Sequence, residues 1–180
     1  MKVQLSLIDK QSFTEWSSLI AKNLQILLSS QNIIQDKLII GAFAPIYQEP
    51  IWFQGISPEV LKLIAFPTTE KGTLNMIFKL SQLSDLVIKK DFGFNILGPK
   101  DISLTVNPEV MLIPGLSFTR IGERLGRGKG HYDQFLEKYL GLKIGICFSL
   151  QIEKEIPTEM HDVQLDYIVT EKEIINCKLA

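Results

Sequence analysis

Four runs in this chain are apolar almost without interruption, and each is too short to be a helix. They read Leu38-Ile39-Ile40-Gly41-Ala42-Phe43, Leu63-Ile64-Ala65-Phe66, Val110-Met111-Leu112-Ile113 and Ile144-Gly145-Ile146-Cys147-Phe148. A strand with one wet face alternates polar and apolar residues, whereas a strand with no polar face is buried on both sides. Such strands need helices or other chain above and below them. The first run stops short of Pro45, the second stops before Pro67, and the third is closed by Pro114-Gly115.

Helical patterns supply the cover. Phe13, Trp16, Leu19, Ile20, Leu24, Leu27 and Leu28 recur at three- and four-residue steps, an apolar stripe of helical period. Ser12 followed by Glu15 has the form of a capping box at its start. Ser57-Pro58-Glu59 predicts a short helix with a serine cap and a first-turn proline. Residues 132–140 fit a further helix. Residues 74–80 alternate as a half-exposed strand does, and residues 143–148 and 167–170 complete the strands. Within residues 84–107 only 102–106 reads as a strand. The expected fold is α/β: a mostly parallel sheet with helices on both faces, one domain over residues 1–180.

Composition narrows the class. With 46% hydrophobic and 22% charged residues, the chain has ample apolar surface to offset ordering entropy, which excludes disorder. Its 19 Lys+Arg against 20 Asp+Glu leave a formal charge of −1. That offers no global basic field for nucleic acid or a membrane, and neither is expected as a partner. Cys147 and Cys177 match neither zinc spacing nor a redox pair. Cys147 reads as a buried small hydrophobe and Cys177 as incidental. No run reaches the roughly 20 apolar residues that cross a bilayer, and no signal-peptide pattern is present, so a cytoplasmic location is expected.

Any anion site must therefore be local, and residues 115–130 supply one: Gly-Leu-Ser-Phe-Thr-Arg-Ile-Gly-Glu-Arg-Leu-Gly-Arg-Gly-Lys-Gly. Five of the chain's 12 glycines fall here, with Arg120, Arg124, Arg127 and Lys129 against the single acid Glu123. Closely spaced glycines let main-chain N–H groups line up on an anion, and Arg and Lys neutralise phosphate oxygens. The segment leaves a core strand and enters a helix, where ligands bind in open α/β sheets. It is not a Walker A loop, since Gly130 follows Gly128-Lys129 where Ser or Thr would hold magnesium.

Pro114-Gly115-Leu116-Ser117-Phe118, followed by Gly122-Glu123-Arg124-Leu125-Gly126-Arg127-Gly128-Lys129-Gly130-His131-Tyr132-Asp133, closely resembles the signature of the 5-formyltetrahydrofolate cyclo-ligase family. Gly145 to Phe148, Gln151, Ile156-Pro157, His161-Asp162, Asp166 and Val169-Thr170-Glu171 follow that family's C-terminal pattern in order. The resemblance implies ATP-dependent closure of 5-formyltetrahydrofolate to 5,10-methenyltetrahydrofolate, with ADP and phosphate released. In that scheme the formyl oxygen takes the γ-phosphoryl group, the folate nitrogen at position ten closes the ring, and phosphate leaves.

Carried over residue by residue, the resemblance implies that Arg124, Leu125, Gly126, Arg127, Gly128, Lys129, Gly130, His131 and Tyr132 bind ATP. Arg124 and Lys129 are its catalytic cations. Glu49 with Arg127, Gly128, Lys129, Gly130, His131 and Tyr132 faces the reduced folate. Asp133 and Asp162 are the implied Mg2+ ligands, with Asp166 a weaker third. Asp133 also suits the first turn of its helix on dipole grounds alone. His131 and His161 read as packing or stacking residues rather than bases, and Phe118 as packing beneath the loop. A monomer is expected.

The chain departs from the family pattern in three places. Few basic residues precede the first helix, Ile51 replaces an acid two residues after Glu49, and Gly98 and Thr119 stand where acids are usual. Trp52, next to Ile51, is either a stacking surface or a core residue. These departures keep a second reading open, a nucleotide- and folate-binding homologue without ring closure.

Overall fold

The first helix, α1 (Lys10–Ser30), opens at Asp9, whose carboxylate accepts the N–H groups of Gln11 and Ser12, each at 2.9 Å. The cap is therefore Asp9, and the Ser12–Glu15 box is corrected. A carboxylate satisfies two of the orphan donors at once, and Ser12 Oγ donates to its second oxygen at 2.7 Å. The stripe buries Ile20, Leu24, Leu27 and Leu28 as expected, but Leu19 stays 39% exposed. The structure, a computed structural model, describes residues 5, 8–70, 73, 75–91, 94–158 and 162–179.

The apolar runs form the centre of one sheet. β1 (Ile40–Gly41) lies parallel to β2 (Ile64–Thr69) and to β7 (Val110–Ile113). β7 pairs in parallel with β10 (Leu142–Ile146), and β10 with β12 (Tyr167–Val169). Antiparallel strands finish the edges: β3 (Met76–Leu80) and β6 (Thr105–Val106) beyond β2, and β13 (Ile174–Asn176) beyond β12. The order is β13-β12-β10-β7-β1-β2-β3-β6.

Successive residues of β7 point to opposite faces and enter two separate cores. Val110 and Leu112 pack with Ile20, Leu24 and Leu28 of α1, while Met111 and Ile113 pack with Phe78, Cys147 and Leu136. Leu136 belongs to α3 (His131–Leu136), so helices cover both faces, as the wholly apolar strands require. The small helix α2 (Pro58–Leu61) begins where Ser57-Pro58 predicts. Trp52 is fully buried and donates its indole N–H to the Phe43 carbonyl at 2.9 Å, so it is a core residue and no stacking surface. Cys177 is also buried, which corrects the view of it as incidental.

Three further expectations change. β2 runs through Pro67 rather than ending before it. Ala65 offers its carbonyl to Ala42 on the β1 side, and Pro67, two residues on, faces the same side where β1 has already ended. Its missing N–H therefore costs no ladder bond. The helix expected over 132–140 stops at Leu136. The mixed stretch after residue 84 contains a hairpin, β4 (Val87–Asp91) against β5 (Phe94–Gly98), which composition hid because Ile88 and Leu97 are exposed. Asp91 ties this hairpin to β2, accepting Thr68 Oγ1 and Thr69 Oγ1 at 2.6 Å each.

Candidate active site

Chain order along the sheet reverses at the junction of β1 and β7: β2 lies to one side, β10 and β12 to the other. Parallel sheets open a crevice beyond the carboxyl ends of their strands at such a reversal. The segment leaving β1 carries Phe43, Ala44, Ile46 and Glu49 into that crevice, and the segment leaving β7 carries Pro114 and Gly115. Pro67 of β2 and Ile96 and Leu97 of β5 add an apolar wall. The glycine-rich segment from Arg124 to Asp133 forms the remaining side of the cleft.

That segment is only partly a loop. Ser117–Thr119 (β8) and Arg124–Leu125 (β9) pair as an antiparallel hairpin, and Ile152–Glu153 (β11) joins β8 in parallel. Phe118 is fully buried beneath it, as expected of a packing residue. Thr119 is buried too and donates to Glu123 at 2.8 Å, which locks the hairpin turn well away from the cleft. Arg120 faces outward and grips Glu173 with two bonds of 2.8 Å. Gln151 staples the root of the segment, donating to the carbonyls of Gly115 at 2.9 Å and Leu116 at 3.2 Å.

Residues 126–130 are different. Gly128 and Gly130 adopt φ of +76° and +69°, and open space surrounds both. Lys129 is exposed and has no carboxylate partner among the described residues. The two arginines expected to hold phosphate are already engaged. Arg124, with a side chain only 5% exposed, pairs with Asp133, donates to the Pro114 carbonyl at 3.3 Å, and lies 5.8 Å from the Tyr132 ring centre. Arg127 reaches across the cleft to Glu49 Oε1, with Nη2 at 2.9 Å and Nε at 3.3 Å.

Glu49 is 7% exposed, and its second oxygen accepts the Ile46 N–H at 3.0 Å. Burial pushes its carboxyl above the ordinary value of 4.5, although the Ile46 bond and the Arg127 charge oppose the shift. The Tyr132 hydroxyl is buried with no hydrogen-bond partner among the described residues. Burial, and then the Glu49 charge, push its pKa well above the usual phenol range, with Arg124 opposing. A buried donor left unsatisfied at a cleft is a place for a ligand acceptor. His131 starts α3 and lines the same cleft.

Behind the segment a second cleft opens, and Asp133 and Asp162 both line it beside Gly126, Gly128 and Gly130. Among the described residues no group of three or more His, Cys, Asp or Glu is clustered to cage a metal. Two carboxylates next to an anion loop fit magnesium, which keeps several waters and takes its remaining ligands from phosphate. Asp166 has a different task. It accepts the Lys143 N–H at 2.9 Å and pairs with Lys143 and Lys178 at 3.4 and 3.1 Å, tying β10 to β12. Burial works against its ionisation, but these bonds outweigh that and hold the carboxyl below 3.8. His161 lies outside the described residues.

The profile of the 5-formyltetrahydrofolate cyclo-ligase family matches residues 58–171. This chain belongs to that family. It is 30% identical over 138 residues to the mitochondrial 5-formyltetrahydrofolate cyclo-ligase of Arabidopsis thaliana, covering 63% of this chain and 49% of that protein. The mouse 5-formyltetrahydrofolate cyclo-ligase is 26% identical, with 84% of this chain and 74% of the relative covered. Against the Arabidopsis relative, then, the match spans about half of its length. The solved 5,10-methenyltetrahydrofolate synthetase of Aquifex aeolicus superposes with a TM-score of 0.78 at 25% identity, over 97% of this chain and 88% of that one. The cyclo-ligase fold is thus shared along nearly the whole chain. No helix among the described residues is long and apolar enough to cross a membrane.

Some site residues carried no signal of their own. Ile96 and Leu97 reach the cleft only through the unanticipated hairpin, and the cross-cleft partner of Arg127 lies 78 residues away. Gln151 shows itself only as a position in the family pattern.

Proposed function

We propose that this chain closes 5-formyltetrahydrofolate to 5,10-methenyltetrahydrofolate at the expense of ATP, releasing ADP and phosphate. The observation that carries the reading is the contrast between the two sides of one crevice. One side is an apolar wall with a buried acid, and the other is an exposed glycine-rich run around Lys129, which has no carboxylate partner among the described residues. An apolar wall with a few convergent polar groups suits a flat, partly polar ring system. Glu49 would accept N–H donors of the folate ring, and the Tyr132 hydroxyl would find its acceptor on the ligand.

On the other side, the 126–130 main chain and Lys129 would hold polyphosphate. An amide-like formyl oxygen leaves poorly until it is phosphorylated, so the protein's task is to align that oxygen with the γ-phosphate and neutralise charge as it moves. Lys129 does so from the exposed side of the segment. Arg124 holds Asp133 in place rather than reaching outward. Asp133 and Asp162 would hold magnesium, which when bound would add neutralisation at phosphate oxygens. No side chain is needed as a strong base, because the proton released on ring closure leaves the attacking nitrogen at position ten, which becomes acidic once it has bonded to carbon, and water or the departing phosphate can take it.

The test is direct. Protein mixed with 5-formyltetrahydrofolate, ATP and magnesium should generate the ultraviolet absorbance of the methenyl product. Absence of an ATP-dependent signal at high enzyme concentration rejects the reading. Binding of both ligands by calorimetry without product would instead support a non-catalytic homologue.

A further inference from the structure

The Glu49–Arg127 pair joins the two ligand-facing sides of the crevice, and both of its members are needed elsewhere if the proposed function holds. Both Glu49 oxygens are occupied, Oε1 by Nε and Nη2 of Arg127 and Oε2 by the Ile46 N–H. Folate-ring donors that take Oε1, the oxygen turned to the cleft-crossing Arg127, displace that guanidinium. Phosphate oxygens that take the Nε–Nη2 edge of Arg127 draw the same guanidinium away from Glu49, because that edge is turned toward the carboxylate. Each ligand breaks one contact, and it is the same contact.

We infer that this ion pair is a latch that couples the two ligands: whichever binds first opens it, and the second binds to a site already open. The inference rests on the proposed function. Its sign follows from the chemistry. Drawing Arg127 away leaves the Glu49 carboxylate buried and short of donors, which favours the N–H groups of a folate ring. Engaging Glu49 with folate leaves Arg127 at the cleft rim, 34% exposed and in need of an anion. Cooperativity is then positive, and by linkage the factor is the same whichever ligand is added first.

Calorimetry tests this without turnover, using an ATP analogue with an imido β–γ bridge and 5-formyltetrahydrofolate, each alone and each with the other saturating. Wild-type protein should bind each ligand about tenfold more tightly when the other is present. In Glu49→Gln the analogue alone should bind tighter than in wild type, because Arg127 is no longer held, and the coupling factor should fall close to one. Loss of the negative charge alone would also tighten the analogue, but it would leave the coupling factor at its wild-type value. Arg127→Gln, at a partly exposed position, is the second arm and should also bring the factor close to one. Two ligands that bind wild type independently, or an analogue affinity unmoved by Glu49→Gln, would overturn the latch and leave the proposed function standing. Failure of wild type to bind either ligand would overturn both.

Discussion

The two halves of the glycine-rich segment share a composition and do opposite things. In the first half, glycine makes room for neighbours. A Cβ on Gly115 would stand 2.6 Å from the Phe118 ring, and one on Gly122, at φ +91°, would meet the Leu165 carbonyl at 2.5 Å. Its charges are consumed by local pairs, Arg120 with Glu173 and Arg124 with Asp133. In the second half, Gly126 still leaves room for the Arg124 guanidinium, but Gly128 and Gly130 have open space where a Cβ would stand. Cations and glycines therefore signal an anion site only where the fold leaves them unspent.

The sharpest way to break this contrast is Lys129→Ala. Turnover should fall about 100-fold or more, with the melting temperature unchanged, as when one well-placed donor to developing charge is removed. A normal rate would return the second half to the status of an ordinary surface loop. Next comes Gly122→Ala, which should cost about 3 kcal/mol of stability in denaturant titration, because a strained backbone and a clash with main chain coincide. Unchanged stability would show that the first half is not packed as described.

Arg124→Gln probes the boundary and should lower stability and magnesium affinity together. The loss should be about 2 kcal/mol, short of a fully buried pair because Asp133 is 33% exposed. Gly128→Ala should cost only about 1 kcal/mol, from its positive φ alone, while weakening nucleotide binding measurably. The smallest effect concerns pH. Glu49 holds its proton more tightly when folded, so at this group the native state binds more protons than the unfolded one around and above pH 4.5. Its contribution to stability is full below that value and is lost as pH rises through the raised one, and Glu49→Gln should flatten this part of the profile.

The same distinction explains what could be read from the sequence. β7 and β10 were legible because burial on both faces leaves an unbroken apolar run. The β4–β5 hairpin was not, since Ile88 and Leu97 point to water and Lys89 and Lys90 sit among them. β13 was missed for a related reason: as a three-residue edge strand it buries Ile175 alone. At the site, the glycines and cations marked the right segment, but pairing decides their roles. Nothing in linear order shows that Arg127 meets Glu49, or that Arg124 is turned inward to Asp133. Family resemblance pointed to Asp133 and Asp162, and the fold brings both to one cleft.

Both native thiols are buried. Desolvation raises the pKa of Cys147 well above its ordinary value and that of Cys177 to about 11, so neither offers much thiolate at neutral pH. A single cysteine placed on an outward position such as Leu140→Cys would then be the one fast-reacting sulfur, and a maleimide dye would report from that spot without removing either resident cysteine.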